Sequence, residues 1–202
     1  MLKIIIYLIL SYLCGAIPFG YIVAKLFRNI DIRTVGSGNP GATNVYRTIS
    51  KPLGILTLLL DMLKGFIPVY FVSIINPSSY LIVLVVALVT ILGHIFTIFL
   101  NFKGGKGVAT GCGIFFALNP LATAICLMTF IIVLTISKYV SLGSICAAIM
   151  LPIAIFFLGS NIQLVIFSTI IAIVVIVRHI SNIKRLLNGT ENKIFGNKSS
   201  IK

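Results

Sequence analysis

The chain alternates long apolar runs with short polar, basic breaks. The runs cover Leu2–Ala24, Leu53–Ile75, Tyr80–Leu100, Val108–Leu118, Leu121–Ser137, Val140–Leu158 and Ile162–Val177. Continuous runs of this kind predict membrane-spanning helices, which need ~20 apolar residues each. The alternating segments of a membrane barrel have a different pattern. Turn chemistry marks the breaks at Asn76-Pro77-Ser78-Ser79, Asn119-Pro120 and Gly159-Ser160-Asn161. Reading Val108–Ser137 as one helix ignores Asn119-Pro120, so two short helices in a tilted or thinned bilayer are expected there. The predicted architecture is an all-α integral membrane protein with seven transmembrane helices, two of them short. Residues 1–202 are expected to form a single domain. The first run resembles a signal peptide, but it is long for one and Lys25 and Arg28 follow it. Leu13 before Cys14 is too bulky for a lipoprotein processing site, so the run is read as a span.

Composition agrees with this pattern. Apolar residues make up 59% of the 202 positions and charged ones 9%, where soluble domains carry about a quarter. Sixteen Lys and Arg face three acids, Asp31, Asp61 and Glu191, for a net charge of +13. Apart from Lys64 within run two and Lys3, which is left on the outer side, the basic residues fall after runs one, three and seven, with Lys138 before run six. Placing them inside puts the N-terminus outside and the C-terminus in the cytoplasm. The charge is thereby explained without nucleic acid; anionic headgroups and phosphorylated substrates are natural partners. Cys14, Cys112, Cys126 and Cys146 each lie in an apolar run and form no CxxC pair, so neither disulfide nor metal site is expected.

In that topology three polar clusters face the cytoplasm and can converge on one site at the inner surface. The first is GSGNPGATNVYR, Gly36 to Arg47. Its glycines permit left-handed backbone and close approach to a ligand. Ser37, Asn39, Thr43 and Asn44 offer donors, and Arg47 a planar fork for phosphate. The same residues also suit a tight turn leading into a capped helix. The second is GHIFTIFLNFKGGKGVAT, Gly93 to Thr110, in which Gly104, Gly105 and Lys106 open a helix whose amides and dipole favour an anion. It is not a GxxxxGK[ST] loop: Leu100 and Gly107 stand where that motif needs glycine and Ser/Thr. His94 is expected as a buried residue bonded to a neighbouring helix. The third is RHISNIKRLLNGTE, Arg178 to Glu191, where His179 and Asn182 share a face of a continuing helix. A basic helix against anionic lipid explains part of it. Within run two, Asp61 and Lys64 are expected as an internal ion pair. Three carboxylates cannot furnish a multi-carboxylate metal site, and no hydroxyl or thiol has a visible His/Asp pair.

At these three clusters, and at DMLKG (Asp61 to Gly65), the chain resembles the bacterial acyl-phosphate:glycerol-3-phosphate acyltransferase family. The motifs appear in the family's order and cover most of the chain. The resemblance implies transfer of a fatty acyl group from acyl phosphate, not acyl-CoA or acyl carrier protein, to the 1-hydroxyl of glycerol 3-phosphate. The products would be lysophosphatidic acid and phosphate, in phospholipid synthesis at the bacterial inner membrane, with the active site facing the cytoplasm. No cofactor or metal is implied. A soluble acyl-phosphate synthase is the implied functional partner. The His-x4-Asp dyad of the usual glycerolipid acyltransferases is absent: Phe99 follows His94 and Lys184 follows His179 at that spacing.

Ser37, Gly38, Asn39, Thr43, Asn44, Gly104 and Gly105 are the residues expected to hold acyl phosphate. Arg47, Lys106, His179 and Ser144 are expected to bind glycerol 3-phosphate. His179 and Asn182 are the candidate catalytic pair, with the departing phosphate competing with His179 as base. The alternative is a membrane transporter of an organic phosphate, which the lack of an internal repeat leaves without support.

Overall fold

The structure, a computed structural model, describes residues 2–194. Lys198 and Lys202, two of the basic residues after run seven, lie outside the described residues. Every regular element among the described residues is helical. The helices cluster into two compact units, one running to Leu118 and the other starting at Asn119.

In the first unit, the run Leu2–Ala24 is two helices rather than one: α1 (Leu2–Ala16) and α2 (Phe19–Arg28), bent by 42°. Pro18 has no N–H to donate and disfavours helical backbone at Ile17, so the helix breaks there. A 3-10 turn (Ile32–Thr34) and the short α3 (Ala42–Thr48) lie within the polar stretch that follows. α4 (Lys51–Ile75) starts at Ser50, whose hydroxyl accepts from the Leu53 amide at 3.4 Å, with a proline in its first turn. α5 (Tyr80–Ile95), a 3-10 turn (Ile98–Leu100) and α6 (Val108–Leu118) complete the unit. α1 packs on α5 and α4 on α6. Small residues bring these backbones together: a methyl at Gly15 would overlap the Thr90 carbonyl, and one at Gly113 the Met62 carbonyl. Val23, Ala24, Ile32 and Val45 form a buried cluster that joins α2 to the polar stretch.

The second unit holds α7 (Pro120–Ser137), α8 (Val140–Phe157), α9 (Ile162–Arg178) and α10 (Ile180–Leu187). α8 packs on both α7 and α9. Asn119 and Asn161 cap α7 and α9, accepting from Ala122 at 2.9 Å and Leu164 at 2.8 Å. The continuing helix expected through His179 is bent there by 56° into α10.

By length and composition, α4, α5 with its following turn, α7 and α8 can each cross a membrane, as can the bent pairs α1–α2 and α9–α10 taken as single spans. Of the two helices expected to be short, α6 has 11 residues but α7 reaches 18. Leu59, Phe71, Ile132, Phe157 and Ile166 remain exposed. Such an outer surface suits hydrocarbon, where the helices satisfy their own backbone groups.

Candidate active site

The Gly36–Arg47 loop is held from inside by Asn44. This buried side chain donates both amide hydrogens, to the carbonyls of Ile32 and Val35, each at 3.0 Å. Its oxygen accepts from the Ser37 amide at 3.0 Å. Asn44 therefore frames the loop, and the expectation that its donors face a phosphate is revised. Gly36 and Gly38 have φ of 59° and 70°, and a methyl at Gly36 would overlap the Asn44 amide oxygen. Asn39 Oδ1 accepts from the Gly41 amide at 2.8 Å, a local turn that sets Pro40. Ser37 is exposed, and Thr43 and Arg47 are half-buried on α3. Just upstream, Asp31 caps the 3-10 turn and pairs with Arg33 at 2.7 Å. The side-chain and backbone hydrogen bonds from Arg33 lower the Asp31 carboxyl to about 2.

Gly104 and Gly105 differ from expectation in the same way. Their amides donate to the carbonyls of Ile95, at 3.0 Å, and His94, at 3.2 Å. They close the C-terminal end of α5 instead of presenting N–H groups to an anion. A methyl at Gly104 would overlap the His94 carbonyl, and one at Gly105 the His94 ring. His94 is buried as expected, its Nδ1 3.0 Å from Thr110 Oγ1 on α6. Thr110 was not foreseen; a hydroxyl four residues after Lys106 was the available signal. Lys106 is half-buried at the start of this segment, and Gly107 (φ 86°) turns the chain into α6.

In the second unit, His179 sits at the α9–α10 bend, buried, with Nδ1 2.8 Å from the Val175 carbonyl. A carbonyl only accepts, so Nδ1 carries the proton and the lone pair of the neutral ring lies at Nε2. Asn182 follows one turn later, its amide donating to the His179 carbonyl at 2.9 Å. The centre of this cluster is Glu191, which the sequence reading left without a role. Glu191 Oε1 accepts from Asn182 Nδ2 and Ser141 Oγ, each at 2.7 Å, and Oε2 from Arg185 Nε at 2.6 Å. Burial pushes the Glu191 carboxyl up, but hydrogen bonds from Asn182, Ser141 and Arg185 outweigh it and hold the group below its ordinary value. A lone acid in a strongly basic tail was the signal that could have marked it. Ser144 is buried one turn beyond Ser141, its hydroxyl donating to the Val140 carbonyl at 2.9 Å. As a phosphate donor it would have to leave that bond.

Helical architecture throughout the described residues and an apolar outer surface define an integral membrane protein. The sequence model described as glycerol-3-phosphate acyltransferase matches residues 5–189, and the chain belongs to that family. It is 55% identical over 194 residues to a glycerol-3-phosphate acyltransferase of Endomicrobium trichonymphae, covering 96% of this chain and 97% of that one. It is 50% identical over 187 residues to one from Fusobacterium nucleatum subsp. nucleatum, covering 93% and 96%. Two crystal structures of PlsY (YgiH), an integral membrane glycerol 3-phosphate acyltransferase, share the fold. Its glycerol 3-phosphate form superposes with a TM-score of 0.91 at 39% identity, covering 96% of each chain. Its lysophosphatidic acid form gives 0.89 at 38% identity, with the same coverage.

Proposed function

We propose that the protein transfers a fatty acyl group from acyl phosphate to the 1-hydroxyl of glycerol 3-phosphate, releasing phosphate, at the cytoplasmic face of the bacterial inner membrane. The observation that carries this reading is the close similarity, over 96% of the chain, to a protein crystallised in glycerol 3-phosphate and lysophosphatidic acid forms. These are the acceptor and the product of the proposed reaction.

Acyl phosphate is a mixed anhydride with a good leaving group, so positioning and charge stabilisation matter more than a protein nucleophile. Ser37, Gly38, Asn39 and Thr43 are assigned to the donor's phosphate, with Asn44 holding their loop. Gly104 and Gly105 are reassigned to support: they seat the segment carrying Lys106 against His94. Arg47 and Lys106 supply positive charge for the phosphate of glycerol 3-phosphate, and Ser144 remains a weaker ligand for it.

His179, fixed by Val175, accepts from an acceptor hydroxyl through Nε2. Glu191 holds the Asn182 Nδ2, which turns the amide oxygen of Asn182 away from the carboxylate as a further acceptor. The hydroxyl oxygen attacks the acyl carbon, the carbon–oxygen bond to phosphate breaks, and the departing phosphate takes the proton. The departing phosphate is itself a base, so the proton is assigned to phosphate, with His179 as the competing base. The donor assignment is tested with palmitoyl phosphate, palmitoyl-CoA and palmitoyl-acyl carrier protein supplied separately to the purified protein with glycerol 3-phosphate. Lysophosphatidic acid is expected only from palmitoyl phosphate; product from either thioester overturns the assignment.

A further inference from the structure

The bend between α1 and α2 is closed by side chains that the reaction does not use. Asp61 and Lys64 are buried within α4 and form an ion pair of 2.7 Å, each side chain 3% exposed. Lys64 Nζ also donates to the Ile17 carbonyl at 2.7 Å and lies 5.6 Å from the centroid of the Phe19 ring. From the turn after α5, Thr97 Oγ1 donates to the Ala16 carbonyl at 2.6 Å. The two carbonyls before Pro18, where the helix ladder stops, are thus met from two other elements. A second proline makes the clamp reciprocal. Pro68 has no N–H for the Lys64 carbonyl four residues earlier, and Cys14 Sγ of α1 lies 3.6 Å from that oxygen as donor.

What the bend aims is α2, and α2 carries the polar loop. Gly20 lies so close to the Pro40 carbonyl that a methyl would overlap it. Three residues on, Val23 and Ala24 share a core with Ile32, just before the loop, and Val45, near its end. A buried ammonium needs a counter-charge and acceptors. Asp61 supplies the first and the opened helix end the second. We propose that Asp61, Lys64 and Thr97 are positioning residues: they fix the α1–α2 bend and, through it, the setting of the Gly36–Arg47 loop that takes the donor phosphate. The last step rests on the donor assignment above.

The test is hydrogen–deuterium exchange of the full-length protein in detergent, with kinetics on the same samples. Asp61→Asn/Lys64→Met removes the clamp without leaving a lone buried charge. Thr97→Val removes the other arm, and Thr97→Ser restores its hydroxyl. Faster exchange is expected in residues 36–44 for the double variant and for Thr97→Val, with wild-type exchange in Thr97→Ser. The KM for palmitoyl phosphate should rise about tenfold, the equivalent of one lost hydrogen bond. Unchanged exchange in residues 36–44 overturns the clamp, whatever the kinetics. Faster exchange with an unchanged donor KM upholds the clamp and overturns the donor assignment. If the double variant does not fold, the Thr97 pair decides the question alone.

Discussion

Glu191→Gln is the sharpest single perturbation of the proposed catalytic cluster. The substitution keeps shape and removes charge. In the wild type, Oε1 faces two donors, from Asn182 and Ser141, and Oε2 faces Arg185. A glutamine has one oxygen and one NH2 group. If its oxygen replaces Oε1, the NH2 opposes the Arg185 guanidinium; if it replaces Oε2, the NH2 opposes the Asn182 amide. Ser141 can rotate to accept, but Asn182 Nδ2 and Arg185 cannot. At least one donor is therefore mismatched, at about 1.5–3 kcal/mol where it is the buried Asn182 amide and less where it is Arg185, whose side chain is 37% exposed. At about 1.4 kcal/mol per tenfold, kcat/KM for glycerol 3-phosphate should fall roughly 10- to 100-fold. The assay is phosphate release from palmitoyl phosphate, with the thermal midpoint measured in the same detergent.

The wild-type carboxyl is lowered in the folded state, so its stabilisation is complete above the unfolded value, ~4.3, and is lost as pH falls through the folded one. Thermal midpoints of wild type and variant should converge in that acid window. A Glu191→Gln protein with wild-type kcat/KM and midpoint at pH 7 refutes the role given to this carboxylate.

Three further outcomes follow. Asn44→Asp places a carboxylate against the carbonyls of Ile32 and Val35; loss of two buried donors, about 1–3 kcal/mol each, should show first as a raised KM for palmitoyl phosphate. Gly105→Ala should abolish activity because its methyl overlaps the His94 ring, whereas Gly159→Ala has nothing within 4 Å and should cost only the left-handed strain, ~1–2 kcal/mol; comparable specific activities would contradict the packing account. His179→Ala should raise the KM for glycerol 3-phosphate more than it lowers saturated turnover, and loss confined to turnover would favour the general-base role.

The helices were legible because apolar runs and their Asn, Pro and Gly punctuation are local signals. The α1–α2 break was not: Pro18 sits inside an unbroken apolar run, and its consequence depends on Lys64 and Thr97, distant in sequence, which meet the opened carbonyls. The donor-rich loops were visible as composition, but composition does not say where a donor points. Asn44, Gly104 and Gly105 look like phosphate ligands by residue type, yet their N–H groups are used on backbone carbonyls. Glu191 shows the converse. A single acid after a turn carries no periodicity, and its value appears only when Ser141, Asn182 and Arg185 are brought to it.

The central claim is direct, acceptor-dependent acyl transfer from acyl phosphate. Its most direct test is the purified protein in detergent with palmitoyl phosphate, with and without glycerol 3-phosphate, measuring phosphate and lysophosphatidic acid together. Equimolar phosphate and lysophosphatidic acid, formed only when glycerol 3-phosphate is present, is the expected result. Phosphate release that ignores glycerol 3-phosphate, or no release while a related enzyme turns over under the same conditions, would contradict it.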